Sequence, residues 1–125
     1  MGASPKTILI ADDEEELRML VEITLEDPAY RIVTAVDGEE AIKRIRQLRP
    51  DLVILDWMMP RLNGIEVVRL LRQDPMTESL PVVLLTANDC PADQVKAQIL
   101  GIAAYLVKPF SPLALLHIVR EALDE

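Results

Sequence analysis

Five polar residues stand directly after apolar runs of the chain. Asp12 and Asp13 follow Ile8-Leu9-Ile10-Ala11, and Asp56 follows Leu52-Val53-Ile54-Leu55. Thr86 follows Val82-Val83-Leu84-Leu85, and Lys108 follows Tyr105-Leu106-Val107. They are distant in sequence, but they converge on one edge if the runs are parallel strands of a single sheet. Three carboxylates held together repel one another, so positive charge must offset them. Lys108 supplies one charge, and a hard divalent cation is the obvious second. Magnesium takes oxygen ligands in octahedral geometry and keeps several waters, so two carboxylates and a carbonyl would suffice. A metal, an ammonium and a hydroxyl around one aspartate make a phosphoryl-transfer site. The cation and Lys108 neutralise an incoming phosphoryl group, and Thr86 can donate to one of its oxygens. The carboxylate that is not mainly a metal ligand can act as nucleophile and form an aspartyl phosphate. Asp56, alone at the end of its run, is the candidate.

The runs that must position these residues are aliphatic, β-branched and free of polar alternation. Such runs read as strands buried on both faces, the mark of a parallel sheet. A weaker fifth run, Arg31-Ile32-Val33-Thr34-Ala35, is partly polar and suits an edge strand. Helical patterns lie between the runs. Leu17, Leu20, Val21, Thr24 and Leu25 share a face before Asp27-Pro28, and Ala41, Ile42, Ile45 and Leu48 do so before Arg49-Pro50. Ile65, Val68 and Leu71 precede Asp74-Pro75, and Pro91 opens a fourth helix carrying Val95 and Ile99, closed by Gly101. Ser111-Pro112 is an N-cap and first-turn proline for a last helix with Leu115, Leu116, Val119 and Leu123 inward. Strict βα alternation, five times over, predicts an α/β, flavodoxin-like (βα)5 fold in three layers. Its parallel sheet should have strand order 2-1-3-4-5 and bind ligands beyond the carboxyl ends of the strands.

The composition agrees. With 125 residues, half of them apolar, the chain suits one domain, since two would each fall near the ~60 residues where cores become marginal. Its 13 basic and 21 acidic side chains give a net charge of −8, which disfavours direct nucleic-acid binding and docking to an anionic membrane. A single cysteine, Cys90, rules out an internal disulfide framework and fits a reducing, cytoplasmic setting. No apolar run approaches the ~18 residues of a membrane span. The first residues lack the pattern of a signal peptide, and Lys6 breaks that of a myristoylation site. Within the acidic run Asp12 to Glu16, the three glutamates read as a solvated first helical turn, favoured there by the helix dipole.

The chain resembles the receiver domain of bacterial two-component response regulators. The segments that carry the resemblance are Ile8 to Glu14, Asp51 to Pro60, Asn63-Gly64-Ile65-Glu66, Leu84-Leu85-Thr86-Ala87 and Tyr105 to Phe110, in family order and spacing. The resemblance implies that Asp56 accepts a phosphoryl group from a histidine kinase or a histidine phosphotransfer protein. It implies magnesium, or manganese in its place, held by Asp13, Asp56 and the backbone carbonyl of Met58, with Asp12 acting largely through water. Lys108 and Thr86 would contact the phosphoryl oxygens, and Thr86 and Tyr105 would form a switch pair. The Lys108-Pro109 peptide is expected to be cis. The receiver is expected over residues 5–125, after a flexible start at 1–4, with no output domain visible. Its downstream partner is an unidentified protein or output domain. The chain would assist its own phosphorylation and hydrolysis without acting as an enzyme on a separate substrate.

Some positions depart from the family pattern or carry plainer readings. Ala103 and Ala104 stand where many members carry acids used in dimerisation. Met58 and Asn88 occupy positions that tune water access to the phosphoryl group, and an apolar Met58 cannot orient a water. Slow self-dephosphorylation is therefore expected. His117 reads as a solvated surface residue, and Cys90 as an unremarkable thiol. Met19 and Ile23 fall on the outward face of the first helix, where they are either scattered surface residues or part of a kinase-docking face. A haloacid-dehalogenase-type phosphatase needs a second acid where this chain has Met58. A flavodoxin-like carrier needs a first loop that accepts phosphate, which Asp12-Asp13-Glu14 would repel. A pseudo-receiver would not need the intact set Asp12, Asp13, Asp56, Thr86 and Lys108.

Overall fold

The computed structural model of the protein describes residues 4–87 and 90–124. Strands and helices alternate along it: β1 (Lys6–Ala11), α1 (Glu15–Thr24), β2 (Tyr30–Ala35), α2 (Gly38–Leu48) and β3 (Leu52–Asp56) form the first half. The second half is α3 (Gly64–Gln73), β4 (Val82–Thr86), α4 (Pro91–Ile99), β5 (Ala104–Val107) and α5 (Pro112–Ala122). The five strands form one parallel sheet in the order β2-β1-β3-β4-β5, as the alternation predicted. Parallel strands need crossovers of a dozen residues or so, and the amphipathic helices supply them on both faces.

The sheet separates two cores because side chains alternate faces along a strand. Leu9, Val53, Leu55 and Leu84 pack against Ile42, Ile45, Ile65 and Val68 of α2 and α3 on one side. Ile8, Ile10, Leu52, Ile54, Val83 and Leu85 pack against α1 and α5 residues such as Val21, Leu115 and Val119 on the other. All ten residues of β3 and β4 are buried, which is why those runs show no polar alternation. The helix starts follow their sequence signals. The side chain of Asp37 accepts from the Glu40 N–H, Asn63 forms a reciprocal capping box with Glu66, and Ser111 accepts from the Ala114 N–H before Pro112.

Four apolar residues of the helical patterns are exposed, and one strand is less enclosed than its composition suggests. Leu20 is 41% exposed, Leu48 37%, Val95 54% and Ile99 79%. On α4, Val95 and Ile99 lie one turn apart, and the residue midway between them, Ala97, is the one buried. A small residue suffices where α4 meets the sheet, so the larger pair faces out. On α1, Val21 and Leu25 set the inward direction, leaving Leu20 at the margin of the buried stripe. On α2, Ala41, Ile42 and Ile45 set it, and Leu48 lies in the last, fraying turn. Leu116 on α5 is half-buried. β5 is half-buried throughout because it is the second edge strand, a place its apolar run did not reveal.

Candidate functional site

Register brings the strand ends together. Ala11 of β1 pairs with Leu55 of β3, Asp56 with Leu85 of β4, and Thr86 with Val107 of β5. The next residues, Asp12 and Lys108, therefore emerge on the same edge of the sheet as Asp56 and Thr86. The Lys108 ammonium stands 3.2 Å from Asp56 Oδ1, 3.5 Å from Asp12 Oδ2 and 3.7 Å from Glu14 Oε1. Its backbone N–H donates to the Thr86 carbonyl at 2.7 Å, which ties the turn after β5 to the end of β4. The Lys108-Pro109 peptide is cis, as expected.

The two inner carboxylates are buried and the outer two exposed: Asp12 and Asp56 are closed off, whereas Asp13 and Glu14 reach solvent. Burial pushes the Asp12 carboxyl from the ordinary 3.8 to about 6, and Asp56 alongside adds to the rise. The Glu14 N–H, which donates to Asp12 Oδ1 at 2.8 Å, and the Lys108 ammonium pull the other way without cancelling it. Burial also raises the Asp56 carboxyl, opposed by Lys108 and by the Met58 N–H 3.4 Å from Oδ1. Burial would lower Lys108, but its pull toward Asp12, Asp56 and Glu14 wins and raises it. One lysine is too little positive charge for this pocket.

The carboxylates around Lys108 form an oxygen donor set. Asp12, Asp13, Glu14 and Asp56 each offer a carboxylate oxygen, and these atoms lie within 4.8 Å of one another. An all-oxygen set with exposed members that leave room for water fits a hard divalent cation such as magnesium. Glu14 is solvated at the start of α1, as expected, and one of its carboxylate oxygens also lies within reach of this cluster. The available signal was its position, two residues beyond Asp12 in a turn where the Asp12 side chain caps its N–H. Glu15 and Glu16 remain in solvent as expected.

The loop from Trp57 to Asn63 closes the site on one side. The Trp57 N–H donates to the Leu85 carbonyl, and its carbonyl accepts from the Gly64 N–H, each at 2.8 Å. A Cβ on Gly64 would come within 2.6 Å of the Asp56 carbonyl oxygen, so only glycine allows α3 to start this close to the strand end. The Met58 side chain is 70% exposed and offers no polar atom to the pocket beyond a thioether. Tyr105 is half-buried, its ring 6.2 Å from that of Trp57 in an edge-to-face contact. Thr86 is buried at the mouth of β4. Of the other singled-out residues, Met19 and Ile23 are exposed on α1. His117 is exposed and pairs with Glu121 one turn on, at 2.7 Å. Cys90 is half-buried at the N-cap of α4, and Asn88 lies outside the described residues.

Comparison with known proteins places this arrangement. Residues 8–120 match the family model of the response regulator receiver domain. The chain is 46% identical over 107 residues to the alkaline phosphatase synthesis transcriptional regulatory protein PhoP of Bacillus subtilis, covering 86% of this chain and 44% of that protein. It is 41% identical over 116 residues to the phosphate regulon transcriptional regulatory protein PhoB of Rhizobium meliloti, covering 93% and 51%. The chain thus spans about half the length of these relatives. Among solved structures it resembles a putative response regulator from Chloroflexus aurantiacus, with TM-score 0.90, 33% identity and coverage of 98% of this chain and 100% of that one. It also resembles the chemotaxis response regulator CheY4 of Vibrio cholerae, with TM-score 0.88, 32% identity and coverage of 95% and 99%. Strand order, the carboxylate cluster beneath Lys108 and these likenesses converge, and the chain belongs to the response regulator receiver domain family of two-component signalling.

Proposed function

We propose that Asp56 accepts a phosphoryl group from a histidine kinase or histidine phosphotransfer protein and that the chain acts as a phosphorylation-dependent switch. The observation that carries this reading is the buried Asp56 carboxylate at the end of β3, 3.2 Å from the Lys108 ammonium and inside a four-carboxylate cluster. An Asp56 oxygen attacks phosphorus while the bond to the donor nitrogen breaks, its electron pair leaving with the imidazole. Lys108 meets the negative charge of the transferred group and holds it beside β4, where Thr86 can donate its hydroxyl. Asp12, Asp13 and Asp56, with the Met58 carbonyl and Glu14 beside them, would hold magnesium or manganese. Such an ion, when bound, supplies the further positive charge that lets a carboxylate approach an anionic phosphoryl donor.

Phosphorylation adds charge at Asp56, which draws Lys108 and Thr86 toward it. Tyr105 then follows Thr86 as the other half of the switch, and its contact with Trp57 makes that rearrangement visible. A groove of about 360 Å³ lined by Glu14, Leu17 and the exposed Leu20 runs between α1 and the turn at Lys108, Pro109 and Phe110. Its place beside the pocket suits the docking of the phosphoryl donor. The receiver unit is taken as residues 5–125, and the expected cytoplasmic setting is consistent with helices too short and polar to cross a membrane among the described residues. The output is an interaction with a downstream protein or output domain rather than direct contact with nucleic acid.

The test is a titration with magnesium and then beryllofluoride or acetyl phosphate, followed by the fluorescence of Trp57, the only tryptophan. The native chain should respond to both, and Asp56→Asn should lose the second response. A native chain that responds to neither, or an Asp56→Asn variant that responds like the native one, ends the proposal.

A further inference from the structure

Gly38, the first residue of α2, lies buried against the loop between β3 and α3. Its φ lies outside the left-handed region, so conformational freedom is not what requires glycine here. Glycine also weakens a helix relative to alanine. Room is the reason. A Cβ on Gly38 would overlap the Leu62 carbonyl oxygen, and would stand 2.5 Å from Leu62 Cβ and 2.8 Å from its carbonyl carbon. Most of that obstacle is backbone, which cannot rotate away. A second link joins the same two segments, from Arg61 Nε to Asp37 Oδ2 at 3.3 Å. Asp37 is itself fixed as the N-cap of α2, accepting from the Glu40 N–H at 2.8 Å. Arg61 has a φ of 72°, a left-handed conformation that non-glycine residues seldom adopt unless their surroundings impose it.

The other end of the loop sits on the site: the Met58 N–H faces Asp56 Oδ1, and the Trp57 carbonyl accepts from Gly64. We infer that the N-terminus of α2 is an abutment for this loop, and that Gly38 and Arg61 are positioning residues that set where Trp57 and Met58 lie over Asp56. Neither residue touches the carboxylates; both act through the loop. The inference rests on the reading of this pocket as a cation-assisted phosphoacceptor site to which Met58 lends its carbonyl.

The test is the affinity for magnesium chloride, read from Trp57 fluorescence in the native chain and in Gly38→Ala. Displacing the support of a metal ligand should weaken binding about tenfold. Val119→Ala, a core truncation on the opposite face of the sheet, controls for general loss of stability and should bind as the native chain does. A folded Gly38→Ala with native affinity overturns the inference. Should that variant fail to fold, Arg61→Met decides. Removing a positive charge near an acidic pocket would by charge alone tighten cation binding, whereas losing the loop's link weakens it about twofold. Unchanged or tighter binding in Arg61→Met then overturns the inference. A native chain blind to magnesium removes the site reading and the inference together, whereas a responsive native chain with indifferent variants removes the inference alone.

Discussion

Replacing Asp12 with asparagine should stabilise the metal-free protein. Asp12 is fully buried at the end of β1, and burial, with Asp56 beside it, lifts its pKa from 3.8 to about 6. The folded chain keeps a proton that the unfolded chain has already released. Stability therefore falls as pH rises from about 4 to about 6, and stays lower above that range. A rise of this size is worth about 3 kcal/mol once the carboxylate is fully ionised, near pH 8. Asparagine escapes the loss because it is neutral and keeps an oxygen for the Glu14 N–H. Lys108 still has Asp56 at 3.2 Å and Glu14 at 3.7 Å. Urea unfolding without divalent ions should show the variant ahead by about 3 kcal/mol near pH 8, and by about half of that near pH 5. Added magnesium should narrow the gap, since it stabilises the native site by about 2.7 kcal/mol at a hundred times its dissociation constant. A variant no more stable than the native chain near pH 8, or an advantage that does not change with pH, would refute the argument that burial of this charge destabilises the fold when no divalent ion is added.

Two further outcomes are expected. Arg72→Ala should cost about 2–4 kcal/mol in urea unfolding, because its guanidinium donates to the carbonyls of Leu100, Leu80, Thr77 and Gly101 at 2.7–3.3 Å and their loss leaves partly buried acceptors unpaired; a cost below ~1 kcal/mol would mean water replaces those bonds. Met58→Asn should shorten the lifetime of the phosphorylated chain, followed by phosphate release, since an amide can orient the attacking water and the exposed thioether cannot. An unchanged lifetime would remove Met58 as a determinant of the hydrolysis rate.

The sheet was legible because burial on both faces leaves a plain signature. Runs such as Val82-Val83-Leu84-Leu85 can serve little else, and prolines after each of the first three helices mark where the chain must turn. The site was legible for the same reason: in a parallel sheet the residue after each run must lie at one edge. Glu14 is hard to separate from Glu15 and Glu16 because all three are exposed acids, and only its closeness to Asp12 sets it apart. Arg72 carried no signal, since a basic residue near a helix end is ordinary, and its acceptors are backbone carbonyls up to 29 residues away. Helix α4 misled because its spacing of apolar residues marks a face but not which way the face points.

Residue type and spacing alone determined the βα alternation, the strand order, and the meeting of Asp12, Asp56, Thr86 and Lys108, since these follow from local burial patterns and the geometry of parallel crossovers. Only the tertiary structure decided how deeply each carboxylate is buried, and thus which ones are perturbed. It also decided that Ala97 rather than Val95 faces the core, and that Gly38 makes room for Leu62. Those outcomes depend on distances between segments far apart in the chain, which periodicity within a segment does not encode.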